Sequence, residues 1–130
     1  METINVLAAA AGSWVFGAVW YMALSKPWLA VVGIETDENG RPVGGSALPF
    51  VLSAVCMVLV AGLMRYVFAL AGIDTPVSGL LHGGAIGLFF ISPWIMINNA
   101  YGMRPFMLTV IDGGYATIGC AIIGAILVLF

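Results

Sequence analysis

Apolar positions fall in four long stretches, at about 4–24, 48–72, 77–97 and 106–130, separated by shorter polar connections. Each stretch is close to the roughly 20 apolar residues that cross about 30 Å of hydrocarbon at a helical rise of about 1.5 Å per residue. The runs are continuous. Membrane strands would instead alternate apolar and polar positions over about ten residues. The pattern therefore predicts an all-α protein, an integral membrane four-helix bundle that forms a single transmembrane domain over residues 1–130.

The connections refine this picture. Between the first two spans, Glu35-Thr36-Asp37-Glu38-Asn39-Gly40-Arg41-Pro42 has the turn-forming and charged residues of a solvated loop, placed at about 35–47. The preceding stretch from Lys26 to Ile34 is too apolar for a plain loop and too short to span. A short helix lying at the membrane interface is expected there. Ile73-Asp74-Thr75-Pro76 is so short that the second and third spans are expected to pack as an antiparallel hairpin, and Asn98 to Pro105 links the last two spans almost as tightly. Nothing basic precedes the first span, which runs into Trp20, Tyr21 and Trp28 with no clear small-residue cleavage site. It reads as a retained helix ending in an interfacial aromatic belt.

Composition agrees with the pattern. The chain is 62% hydrophobic and 8% charged, against about 25% charged for a soluble domain, and its mean hydropathy is +1.12. With four basic side chains, one His and two Cys, it offers no basic patch for nucleic acid, no disulfide framework and no zinc module. Lys26, Arg41 and Arg104 lie in the first and third connections, so the positive-inside rule puts those in the cytoplasm and both termini outside it. Arg65 is the exception, near the outer end of the second span, where its guanidinium can snorkel to the interface.

Small residues four apart mark stripes for close helix packing. They occur as Gly79-x3-Gly83-x3-Gly87, as Ala9-x3-Ser13-x3-Gly17 and as Ala116-x3-Cys120-x3-Gly124. Packing inside the bundle is the favoured use, and a homo-oligomer is expected because four short helices bury little of one another. Pro93 lies within the third span and predicts a bend, with Ser92 beside it to satisfy a freed carbonyl. Leu24-Ser25-Lys26-Pro27-Trp28 and Phe90-Ile91-Ser92-Pro93-Trp94 echo each other and suggest a duplicated two-helix unit.

Polar residues within or beside spans are the candidates for chemistry. On the outer side, Arg65, Asp74 and His82 are brought together by the expected hairpin. Their structural use is to satisfy Arg65, and their functional use is a proton or anion site. On the cytoplasmic side stand Asn98, Asn99, Arg104, Asp112 and Tyr115. A salt bridge from Arg104 to Asp112 is the plain reading, and a polar vestibule for an ion or headgroup is the sharper one. Cys56 and Cys120 read as small packing residues. No phosphate-binding glycine loop, nucleophile elbow or HExxH motif occurs, so neither an enzyme nor a cofactor is expected.

Gly17-Ala18-Val19-Trp20-Tyr21 with Lys26 and Trp28, and Asn98-Asn99-Ala100-Tyr101-Gly102-Met103-Arg104-Pro105 continuing to Ile111-Asp112-Gly113-Gly114-Tyr115, resemble a bacterial family catalogued as domain of unknown function 1761. The resemblance covers nearly the whole chain. It implies a four-helix integral membrane protein, in a bacterial inner (cytoplasmic) membrane, whose recurring residues correspond to Trp20, Tyr21, Trp28, Asn98, Arg104, Pro105, Asp112 and Tyr115. It implies no activity. The sequence thus favours a structural or accessory membrane subunit that packs through its small-residue stripes on itself or a larger complex. The alternative is a small channel or transporter that uses the intramembrane polar residues.

Overall fold

A computed structural model describes residues 2–39 and 47–129. Its helices are α1 (Glu2–Ala23), α2 (Ser25–Val32), α3 (Leu48–Ala71), α4 (Pro76–Ile86), α5 (Ser92–Tyr101) and α6 (Phe106–Leu127). A π-helical turn, Gly87–Ile91, joins α4 to α5, so that Pro76–Tyr101 is one continuous span. Four helices are therefore long and apolar enough to cross a membrane: α1, α3, α4–α5 and α6. Most of the polar loop expected at 35–47, including Arg41, lies outside the described residues, as does Phe130 at the end of the fourth stretch.

Local chemistry sets the boundaries. The Thr75 side chain accepts a hydrogen bond from the Ser78 backbone N–H at 3.2 Å, and Pro76 follows at the first position of α4, the arrangement that starts a helix with least cost. Gly72 ends α3 in the left-handed conformation at φ 72, where a side chain would be strained. Asn98 and Asn99 continue the third span to Tyr101, beyond the expected end at 97.

The long helices are arranged in the order α3, α1, α6, α4–α5, with α6 touching every other helix. The second and third spans do not pack along their lengths as the hairpin expected from their short connection. Close backbone approach decides the outcome. A Cβ added at Gly79, Gly83 or Gly87 would collide with the backbone of Gly124, Cys120 or Ala116, so α4 lies stripe against stripe on α6. α3 offers no matching stripe and instead packs on α1, with Ala61, Met64 and Phe68 buried beside Ala9, Ala10, Ile123 and Leu127. The bundle is open between α3 and α4–α5.

Where a bend is expected at Pro93, the helix has a π turn just before it, at Gly87–Ile91. Ser92 Oγ donates to the Gly87 carbonyl at 2.8 Å and lies 3.1 Å from the Gly113 carbonyl, which fixes the irregular turn to α6. The echoed segments do not share a structure. Leu24 breaks α1 from α2, whereas Ser92-Pro93 continues a span after the π turn.

Candidate polar cleft

The opening between α3 and α4–α5 contains a cavity of about 370 Å³. Met57 and Val60 of α3 form one wall, with Ile91 and Ile95 opposite. Its floor brings the polar groups of Ser13 and Tyr21 of α1 and of Asp112 and Tyr115 of α6 together with the small residues Ala116, Gly119 and Cys120.

Asp112 is half-buried. One carboxylate oxygen accepts a 2.6 Å hydrogen bond from the Tyr21 hydroxyl, and no other described side chain bonds to the carboxylate. Arg104 makes no ion pair with it. This corrects the expected salt bridge: Arg104 is exposed, and its backbone N–H closes the turn after α5 on the Asn99 carbonyl at 2.9 Å. Met103 beside it takes a left-handed φ of 55, which carries the chain from α5 into α6.

The rings around the carboxylate form a connected set. Tyr21 meets Tyr115 edge to face at 5.5 Å between centroids and Trp28 in the same manner at 6.0 Å. Tyr115 also lies 6.0 Å from Phe16. Gly17 and Gly119 make room for the Tyr115 ring, because a Cβ on either would press against it. The helix α2 adjoins α1 and α6 and carries Trp28 to this group. Trp20 Nε1–H donates to the Ile111 carbonyl at 3.0 Å, which pins α1 to α6 at the residue before Asp112.

Two hydroxyls on the floor have poor partners. Tyr115 OH lies 3.4 Å from the Ser13 carbonyl and 3.5 Å from Met57 Sδ, and Ser13 Oγ lies 3.4 Å from the same sulfur. A thioether is a weak acceptor, so the Tyr115 hydroxyl keeps acceptor capacity on the cavity lining, while Ser13 is almost fully buried.

The five residues expected to share a cytoplasmic-side site are thus distributed over three settings. Asp112 and Tyr115 line the cleft. Asn99 is buried and donates to Thr109 Oγ1 at 3.1 Å, tying α5 to α6. Asn98 is exposed in the last turns of α5, and Arg104 is exposed on the connection that follows. Sequence reasoning placed Tyr21 and Trp28 in an interfacial belt and so missed their link to Asp112.

The outer-side trio is not assembled. Arg65 Nη1 donates to the Leu127 carbonyl at 3.0 Å, so it caps the C-terminal end of α6, where a cation also complements the helix dipole. Its Nε is buried without a partner among the described residues. His82 is exposed and bonds through Nδ1 to Ser78 of its own helix. Asp74 is exposed in the turn. The trio fails because α3 and α4 diverge.

The packing stripes do meet. Gly79, Gly83 and Gly87 lie on Gly124, Cys120 and Ala116, while Ser13 and Gly17 face Gly119 and Tyr115 across the α1–α6 contact.

A packed set of four apolar helices with a few satisfied polar links between them has the make-up of a small multi-pass membrane protein. The chain belongs to the family described as Protein of unknown function (DUF1761), whose sequence model matches residues 4–128. No curated protein and no solved structure matches it.

Proposed function

We propose that this membrane protein binds a small ligand in the lateral cleft between α3 and α4–α5, either to hold it or to pass it along the bundle. The observation that carries this reading is the set of polar groups of Tyr21, Asp112, Tyr115 and Ser13 on the floor beneath apolar walls, in the place where a packed α3–α4 interface would otherwise be. A few placed polar groups inside an apolar concavity are the usual make-up of a small-molecule site. The orientation follows from Lys26 and Arg104: the cleft's polar end faces the cytoplasm.

A second reading, an accessory subunit that forms a homo-oligomer, draws support from the long apolar face of α3, where Leu52, Val55, Leu59 and Leu63 are all exposed. The small-residue stripes no longer favour it, since they are used inside the chain. The occupant in that case is a second copy.

Cysteines placed singly at Val60 and Ile95, on opposite walls, test the choice. A ligand cleft reached by water predicts that both react with a polar thiol reagent in reconstituted vesicles. Failure of both to react, together with a dimeric mass in detergent, would establish the oligomer and overturn the cleft.

A further inference from the structure

We infer that the ligand of this cleft is an amphipathic organic cation, a quaternary or protonated amine carrying an apolar group. This inference rests on the ligand-binding reading above and names its ligand class. Apart from Glu2 in the first turn of α1, Asp112 is the one acidic side chain in the four spans among the described residues, and it lies on the cavity floor. Tyr21 occupies one of its oxygens. The other makes no hydrogen bond within the described protein, so the carboxylate has accepting capacity left; Arg104 is near enough to act on it through charge but makes no ion pair with it.

The surroundings select among cations. A metal ion needs several oxygen ligands converging at about 2.0–2.6 Å, and here a single carboxylate stands among rings and thioether. The rings of Tyr21 and Tyr115 line the cavity beside that carboxylate, and Trp28 and Phe16 pack behind them. An aromatic group with an anion is the recognised chemistry for ammonium headgroups, whose diffuse charge is attracted to ring faces and is easily desolvated. The walls of Met57, Val60, Ile91 and Ile95 suit the apolar remainder of such a molecule, and Met adapts to varied shapes. A cavity of about 370 Å³ is the size of a small aromatic amine rather than a whole lipid. The Tyr115 hydroxyl, held at 3.4 Å by the Ser13 carbonyl and at 3.5 Å by Met57 Sδ, has an oxygen that can accept from a protonated amine.

The test uses the purified full chain in detergent and two isosteric probes, benzyltrimethylammonium and neutral neopentylbenzene, read by calorimetric titration and by intrinsic Trp and Tyr fluorescence. The expected result is preference for the cation by about tenfold or more, as a charge–ring and charge–carboxylate pairing implies, with a fluorescence change. Asp112→Asn is expected to lower affinity for the cation by about tenfold and leave that for the neutral probe unchanged. If Asp112→Asn does not fold, the comparison of the two probes on the unaltered protein decides alone. Equal binding of both probes would overturn the cation and leave the ligand cleft standing. Binding of neither would overturn the cation, and the cleft itself would then stand or fall on the Val60 and Ile95 thiol reactivity.

Discussion

The Tyr21 hydroxyl of α1 donates a 2.6 Å hydrogen bond to the Asp112 carboxylate of α6. It joins the central pair of helices at the one point where the floor of the cleft carries a charge. Hydrogen bonds to charged groups contribute about 1.5–3 kcal/mol. Tyr21→Phe is therefore expected to lower stability by about that amount while keeping the ring contacts to Tyr115 and Trp28. Thermal unfolding in detergent checks this, and a melting temperature equal to that of the parent would show that the bond contributes nothing.

Adjacent glycines in α4 are expected to behave oppositely. Gly83 faces the backbone of Cys120, whereas a Cβ at Gly84 would meet only the Ala121 methyl at an ordinary 3.6 Å. Gly83→Ala should force α4 away from α6 and destabilise by about 1–3 kcal/mol. Gly84→Ala should be neutral or stabilising by up to about 1 kcal/mol, from the better helix propensity of Ala. The relative yields of folded monodisperse protein, followed by thermal melts, separate the two.

Arg65 tests the cap on α6. Arg65→Met removes the donor to the Leu127 carbonyl and leaves the last turn of α6 without its cation, a change expected to cost about 1–3 kcal/mol. Arg65→Lys should recover part of this, because a positive charge still complements the helix end. Faster hydrogen exchange of the final turn of α6 in the Met variant, and not in the Lys variant, is the expected signature.

Ser92 bonds two carbonyls that belong to different helices. Ser92→Ala is expected to cost about 0.5–1.5 kcal/mol, the worth of one neutral hydrogen bond, because the single hydroxyl proton is shared between the two carbonyls. The loss should appear as increased exchange across Gly87–Ile91, the π turn, rather than across α4. Uniform exchange along the whole span would mean that Ser92 does not hold the turn.

Sidedness is testable with single cysteines at Glu38, Asp74 and Met103. Four spans put Glu38 and Met103 on one side of the membrane and Asp74 on the other. On the orientation proposed from the charge distribution, with Glu38 and Met103 cytoplasmic, an impermeant reagent added outside the cell should label only the cysteine at Asp74.

How much of this was legible in the sequence differs from residue to residue. The four spans, the helix α2 and the stripe through Gly79, Gly83 and Gly87 are all readable, because length, apolar continuity and residue size act locally along a helix. The partner of that stripe is not. A short connection at Ile73 to Thr75 suggests that α3 and α4 pack together, but the connection fixes only their ends, and the backbone fit with Gly124 and Cys120 draws α4 to α6. The pairing of Asp112 was misread for a related reason. Arg104 is the nearest cation in sequence, yet Tyr21, 91 positions away, is its neighbour in space. A phenol at the end of α1 carries no periodic signal that tells a belt residue from a hydrogen-bond donor.

The central position of α6 also sets an order of assembly. As the chain is made, α1 and α3 can meet early, but Pro76–Tyr101 has its packing surface on a helix that follows it in the sequence. Until α6 enters the bilayer the third span must wait in lipid with its glycine face uncovered, where any other helix with a small-residue face can capture it. The glycine stripe of α4 therefore has no packing partner of its own chain until the last span has been made.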